Sequence, residues 1–359
     1  MKVAFELIDV KNVQDRPDEP QCLMKNVIRM HMPASGLAYV HNSWLITSTN
    51  YVSEHCSQLY TVNDGISVVA KIFTSIVFVI TVGLSVVGNS IAICILSSEN
   101  RVRTSFNTFL INLAVSDLAM GALCMPFTAT AMLVGNWPFG DFMCPFVSFM
   151  QQVSVTVSIF TLTAIGFDRY LAVVEPMRNL RPSSLPRLVT AFIWLISSVL
   201  GIFQLVTART KAYPMDTGEV IYDCDERWNN QLLQSVYEVF VIFATYVIPL
   251  IILSVSYTAV VKALWAREIP GNNDKKRDRR YRRSKKKVTK MLVAIVIIFA
   301  ICWLPLHCLI LATVFDITIL EDPNNRTVII SVYLFVHWLA MANSFINPFV
   351  YTICHDGFR

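Results

Sequence analysis

At 359 residues the chain is long enough for two soluble domains, but 54% hydrophobic and only 15% charged residues exclude that reading. The net charge of +5 is unevenly placed, with long stretches almost uncharged and short stretches between them carrying nearly all of it. This is the texture of a polytopic helical membrane protein.

A helix needs roughly 20 apolar residues to cross a hydrocarbon core of about 30 Å, and it satisfies its own backbone hydrogen bonds on the way. On that rule the chain holds seven candidate spans: Ile72–Leu96, Phe106–Val134, Phe142–Phe167, Leu188–Thr207, Val239–Val261, Met291–Phe315 and Thr327–Cys354. Residues 1–65 read as a flexible outer segment. Met1–Leu23 is broken by Glu6, Asp9, Lys11, Asp15 and Arg16 before an apolar core develops, so the first span is expected to act as the insertion signal. Residues 66–354 read as one seven-span domain with a basic inner loop near 266–288, and 355–359 as the start of a tail.

Basic residues collect on the inner side of a membrane. Here they gather after the fifth span, from Lys275 to Lys287, and after the first and third, at Arg101, Arg103, Arg178, Arg181 and Arg187. The segment after span four carries Asp216, Glu219, Asp223, Asp225 and Glu226 instead. The expected fold is an all-α, seven-transmembrane helix bundle with its N-terminus outside and its C-terminus inside.

The nine cysteines form no even framework, which excludes a disulfide-rich scaffold. Cys94, Cys124, Cys302 and Cys308 lie in spans and read as packing residues. Cys144, at the outer mouth of span three, and Cys224, in the outer loop before span five, share the oxidising side and are expected to be bridged. Cys22 and Cys56 also lie outside, and the sequence leaves their pairing open.

An ionisable group at bilayer depth costs about 2.5–3.5 kcal/mol on insertion scales, so each one is a functional candidate. Asp117 is the only acid deep in span two, and Asn89, Ser158, Asn343, Ser344 and Asn347 are placed to converge on it. A carboxylate ringed by hydroxyls and amides suits a structural hydrogen-bond hub, water or a small monovalent cation; the candidate sodium ligands are Asp117, Ser158, Asn343 and Ser344. Pro126, Pro249, Pro305 and Pro348 fall inside spans, where each removes a backbone bond and permits a hinge. A bundle with several broken helices can have two packings of similar energy, which is what a switch requires.

The motifs then fall one per helix and in order. They are Gly88 with Asn89; Asn112, Leu113 and Ala114 with Asp117; Asp168, Arg169 and Tyr170; Trp194; Pro249 with Tyr257; Phe299 with Cys302, Trp303, Leu304 and Pro305; and Asn347, Pro348, Phe349, Val350 and Tyr351. From about Phe73 to Arg359 the chain resembles the rhodopsin-like G-protein-coupled receptors of the plasma membrane. The resemblance implies that Arg169 pairs with Asp168 until the bundle opens, and then faces a heterotrimeric G protein. Tyr257 and Tyr351 would stabilise that open form, and Trp303 and Phe299 would relay motion from the pocket. Met177 stands where relatives insert an apolar side chain into the G protein, and Lys285 where some carry an acid facing Arg169, so a lock between helices three and six is expected to be absent. The basic run Lys275–Lys287 suits anionic membrane lipid, the G protein, or both.

The pocket narrows the ligand class. Eighteen residues before Arg169, where amine receptors of this family carry an aspartate, the chain has Gln151 followed by Gln152. Span seven lacks the lysine that opsins need over Val332–Ile346. Gln151, Gln152, Gln204, Glu238, His307, Tyr333 and His337 are the expected pocket residues, a polar wall that suits a peptide better than a lipid. Glutamine in span three with His337 resembles receptors for neuropeptide Y, orexin, allatotropin and RFamide peptides. The stretches Cys224–Trp228 and Leu264–Gly271 resemble the orexin and allatotropin receptors in particular. Asp141, Asp223, Asp225, Glu226 and Glu238 at the mouth suit a peptide with a basic residue near an amidated end, or form a solvated rim.

Two departures from the family pattern stand out, at Gln204 and after Arg359, and one glycosylation sequon is present in the last outer loop. Gln204 occupies a position near the end of span four where many relatives have proline. Asn325, in the sequon Asn325-Arg326-Thr327, lies close to span seven. After Arg359 relatives continue into a surface helix, a lipidated cysteine and a tail read by arrestin, which leaves a fragment or unusual arrestin control as readings of the end. No metal-ligand spacing, phosphate-cradling loop or nucleophile with a partnered base supports an enzyme, and no nucleic-acid reader accompanies the basic run. The alternatives to a peptide receptor are a receptor for a lipid or amine and, from another class, a transporter, for which internal repeats would be expected.

Overall fold

The computed structural model describes residues 68–98, 105–174, 184–215, 219–266, 275–315 and 326–354, with the side chains of 265–285, 326–327 and 351–354 left undescribed. Met177, Asn325, the outer segment 1–65, the tail 355–359, and Arg101, Arg103, Arg178, Arg181, Asp216, Cys22 and Cys56 lie outside the described residues. The side chains of Lys285 and Tyr351 do too.

Among the described residues, seven helices are long and apolar enough to cross a membrane: Val68–Ser98, Ser105–Val134, Gly140–Val174, Leu185–Thr207, Gln231–Leu264, Lys286–Phe315 and Val328–Val350. Most overrun the apolar stretch legible in sequence, because a helix continues past the hydrocarbon until a cap or breaker stops it. The second span ends at Gly135, whose φ of 70° is left-handed backbone, and the Gly135 N–H closes the last turn on the Ala131 carbonyl. The helical part of the fifth begins at Asn230, whose side-chain oxygen accepts from the amides of Leu232 and Leu233. The sixth starts earlier still, as one helix from Lys275 to Phe315 that carries the basic run with it.

The spans close into a ring in which the third packs against the second, fourth and fifth, and the seventh joins the sixth to the first. Burial follows that arrangement. In the second span 61% of the most apolar window is buried, against 22% in the fourth, so the polar motifs of spans two and three are inside while the fourth presents most of its apolar surface outward. Cys124 and Cys302 are buried as expected of packing residues, but Cys94 and Cys308 are exposed on the outer surface. A span is apolar all round, so composition alone cannot separate its core face from its lipid face.

Buried polar side chains tie the helices together. Asn112 donates to the Thr161 hydroxyl at 2.7 Å and accepts from the Trp194 indole at 2.8 Å, joining spans two, three and four. Trp338 donates to Thr81 at 3.0 Å across spans seven and one, and Tyr246 donates to the Ala300 carbonyl at 2.8 Å across spans five and six. Short π-helical turns interrupt span two at Met120–Cys124 and span five at Phe243–Val247, close to Pro126 and Pro249. Such turns recur at functional positions. At the first of them, Gly121 is required by close approach, because a Cβ there would stand 2.6 Å from the Ser85 hydroxyl.

Among the described residues, a two-stranded antiparallel hairpin, β1 (Ala208–Pro214) and β2 (Val220–Glu226), with Thr210 opposite Cys224, carries no signal in the span pattern. It leaves the end of span four, which runs unbroken to Thr207 with Gln204 in its last turn.

Replacing Asn112 with leucine should leave Thr161 and Trp194 without partners, at a cost of roughly 1–3 kcal/mol for each orphaned group. Thermal unfolding of the detergent-purified protein reads this directly, and an unchanged melting curve would mean that the three-helix tie contributes nothing.

Candidate functional site

Three layers of polar chemistry run along the bundle axis. The first lies under the hairpin. Cys144 and Cys224 are bridged, with their Cα atoms 5.6 Å apart, and this fixes β2 to the start of span three. The Trp137 amide donates to the Tyr222 carbonyl at 2.8 Å, Tyr222 donates back to the Asn136 side chain at 2.9 Å, and the Thr210 hydroxyl donates to Asp141. The hairpin is thereby held over the bundle from both strands.

Beneath it, Glu226 accepts from the Gln204 amide at 2.7 Å and from the Trp228 indole at 2.8 Å. Phe203, Trp228 and Tyr237 pack as an aromatic trio, with ring centroids 5.0 to 6.4 Å apart. Glu238 accepts from Gln234 at 2.9 Å. Outside the spans, burial and the neighbouring Asp225 raise the Asp223 carboxyl above its ordinary pKa, while Arg227 draws it back.

Of the expected pocket residues, Gln204 is buried but already engaged by Glu226, and Gln152 turns along its own helix to Thr156 at 3.2 Å. Gln151 is half-buried. Tyr333 and His337 lie together, with rings 5.5 Å apart, and His337 is buried. His307 stacks on Trp303 at 5.8 Å and meets the Tyr246 ring at a tilt at 4.7 Å, which joins it to an aromatic column continuing through Phe299. Tyr237, Tyr246 and Phe203 were not singled out by sequence, since an aromatic residue in an apolar span carries no mark of the face it occupies.

The second layer centres on Asp117. Ser158 donates to one carboxylate oxygen at 3.2 Å and Asn347 to the other at 2.7 Å. Asn89 does not reach the carboxylate. Its amide donates instead to the backbone carbonyls of Ser85 and Ser344, both at 2.9 Å, so it positions spans one and seven one step away. Asp117, Ser154, Ser158, Asn343, Ser344, Phe299 and Trp303 line a cavity of ≈ 10 Å³, about the room that a single water needs. Three polar atoms among these residues are buried without protein partners: Ser154 Oγ, Asn343 Oδ1 and Trp303 Nε1.

The third layer is at the other end of span three. Arg169 pairs with Asp168 at 2.8 Å and lies over the Phe106 ring, 4.5 Å from its centroid. Tyr170 stacks on Phe167 at 6.3 Å. Tyr257 is buried with its hydroxyl unpartnered and its ring close to Gly166. Pro305 and Pro348 sit inside their helices, with the Gly88 backbone closely packed on Pro348.

The sequence matches known proteins over most of its length. The family model of the seven-transmembrane receptors of the rhodopsin family matches residues 88–351. The chain is 33% identical to the tachykinin-like peptides receptor 99D of Drosophila melanogaster over 80% of its own length and 56% of that protein's. It is 35% identical to the neuromedin-K receptor of Cavia porcellus over 79% and 63%, and 32% identical to the RYamide receptor of Tribolium castaneum over 79% and 77%. The chain therefore spans 56% of the length of the fly tachykinin-like receptor and 63% of that of the guinea-pig neuromedin-K receptor, less than two thirds of either.

Because Cys144→Ser and Cys224→Ser break the same bond, both should release the hairpin to the same degree. Limited proteolysis between residues 208 and 226 measures this. Faster cleavage in only one variant would mean that something other than the bridge holds β2.

Seven spans, a motif on each in the family's order, and a family match that covers most of the chain lead to one conclusion: this protein belongs to the rhodopsin family of seven-transmembrane receptors and is a multi-pass protein of the plasma membrane.

Proposed function

We propose that the chain is a receptor for an extracellular neuropeptide, that the hairpin end faces outward, and that the Arg169 end activates a heterotrimeric G protein. It carries out no covalent chemistry of its own. The observation that carries this reading is the layered axis. A polar, acid-bearing mouth under a tethered hairpin, the His307–Trp303–Phe299 column and the Arg169–Asp168 pair all belong to the one bundle. Relatives named for tachykinin-like, neuromedin-K and RYamide peptides support a peptide ligand.

The mouth suits a peptide with a basic residue and an amidated end. Asp223, Asp225, Glu226 and Glu238 give it negative potential, which attracts a cation from solution. A primary amide is both donor and acceptor, as is the half-buried side chain of Gln151, so the two can form a reciprocal pair. Gln152, Gln204, His307, Tyr333 and His337 complete the proposed wall.

Binding shifts a two-state population only through differential affinity for the two packings. The aromatic column supplies the route, and the Pro305 and Pro348 interruptions supply the hinges. In the open form Arg169 faces the G protein with Tyr170, Tyr257, Tyr351 and Met177 around it. The basic run Lys275–Lys287 lies beside that face and meets anionic lipid, and arrestin is the expected regulator. The Asp117 cavity, with Ser158, Asn343 and Ser344, is proposed to hold a sodium ion in the closed form. Its donor set fits the ion, because a carboxylate and buried hydroxyl and amide oxygens converge there.

Arg169→Ala should abolish G-protein activation while leaving surface binding of an amidated peptide agonist largely intact; unchanged signalling removes the switch role. Gln151→Ala should lower agonist potency about tenfold, the loss expected from one hydrogen bond of roughly 1.4 kcal/mol, and an unshifted dose response excludes Gln151 from the site. Asp117→Asn should make agonist affinity insensitive to exchange of sodium for potassium, and retained sensitivity would place the ion elsewhere.

A further inference from the structure

In the closed bundle Arg169 has to be held, and the sequence removes one holder. From Arg279 to Phe315 the sixth helix carries no acidic residue, and the first side chains described on it, Lys286 and Lys287, are cations like Arg169 itself. That stretch of the helix offers the guanidinium no carboxylate. Asp168 bonds it at 2.8 Å, but adjacent residues of one helix move together. Their ion pair fixes the direction of the Arg169 side chain without tying span three to another helix.

A contact that does cross between helices is with Phe106, in the first turn of span two. The guanidinium carbon lies 4.5 Å from the ring centroid. The ring is only 7% exposed and the arginine side chain 26%, so the pair is partly withdrawn from water, where cation–π attraction exceeds that of a surface pair. Arg169 Nε is buried with no hydrogen-bond partner, as expected of a guanidinium laid on a ring face. On another flank the third span is already filled. A Cβ at Gly166 would stand 2.7 Å from Leu253 and 3.7 Å from the Tyr257 ring, so spans three and five are pressed together one turn before Arg169.

We propose that Phe106 is the resting latch of Arg169, a cation–π contact between spans two and three that takes the place of a carboxylate on the sixth helix. This rests on reading Arg169 as the switch residue. Phe106 is a positioning residue: it holds the guanidinium over span two, and losing the ring releases it toward the opening cleft.

The test reads conformation and coupling separately, in the full chain in lipid nanodiscs without ligand. Spin labels at Arg187→Cys and Lys286→Cys, both exposed, report the separation of spans four and six at the Arg169 end. The background has its accessible free cysteines, Cys94 and Cys308 among them, replaced by serine. Phe106→Leu keeps apolar bulk and removes the ring. The fraction at long distance should rise about threefold, the scale of one partly exposed cation–π contact, and Phe106→Tyr should stay at the wild-type value.

Basal nucleotide exchange on a purified heterotrimeric G protein should rise in parallel with opening in Phe106→Leu. An unchanged distance distribution in folded Phe106→Leu overturns the latch. Should that variant not fold, Phe106→Trp carries the test in the opposite sense: the better ring partner should lower the long-distance fraction, and no change overturns the proposal. Opening without any rise in exchange supports the latch and instead overturns the G-protein reading.

Discussion

Hydrocarbon offers no hydrogen bonds, so a polar side chain inside this bundle is drawn to a partner on its own helix, on a neighbouring helix or in a cavity between helices. The Asp117 carboxylate sets that constraint most sharply. It draws Ser158 of span three and Asn347 of span seven to itself, and Asn89 ties the carbonyls of spans one and seven beside it. The neighbouring Asn112 does the same for spans two, three and four. The polar motifs are therefore the registers that align apolar helices which would otherwise slide and rotate with little penalty.

The same constraint is met incompletely in one layer of the core. Around the small cavity beside Asp117, buried polar atoms of Ser154, Asn343 and Trp303 have no protein partner, so this layer is less completely bonded than the Asn112 tie. Trp303 belongs both to this cavity and to the aromatic column below the mouth. A shift of the column thus changes the cavity, and a change in what fills the cavity bears on the column. Coupling of that kind needs two packings of similar energy, and the π-helical turns and in-helix prolines loosen the backbone where they are needed.

The two ends are built differently for different work. At the mouth, a disulfide, paired backbone groups and the Thr210–Asp141 contact fix the hairpin, so the acids beneath it are presented on a rigid frame. At the other end Arg169 is held by one neighbour on its own helix and one ring on the next, contacts that can be exchanged without breaking the fold. Rigidity at the recognition end and exchangeable contacts at the opposite end are what a proposed signal-carrying bundle requires.

Much of this was legible in the linear chain. The run of seven apolar stretches determined the architecture, since only helices that satisfy their own backbone can follow one another through a bilayer. The order of polar and proline motifs pointed to the family, and the expected Cys144–Cys224 bridge is present. The tertiary structure alone decided which face of each span is inside: that Cys94 and Cys308 point outward, that Asn89 serves backbone carbonyls instead of Asp117, and that Gln152 turns back along its own helix. It also decided that Gln204 meets Glu226 across the hairpin and that Phe106 lies under Arg169. The reason is physical: a membrane span is apolar on every side, so its sequence carries length and polarity but little periodicity, and the rotation of each helix is set only by the neighbours it packs against.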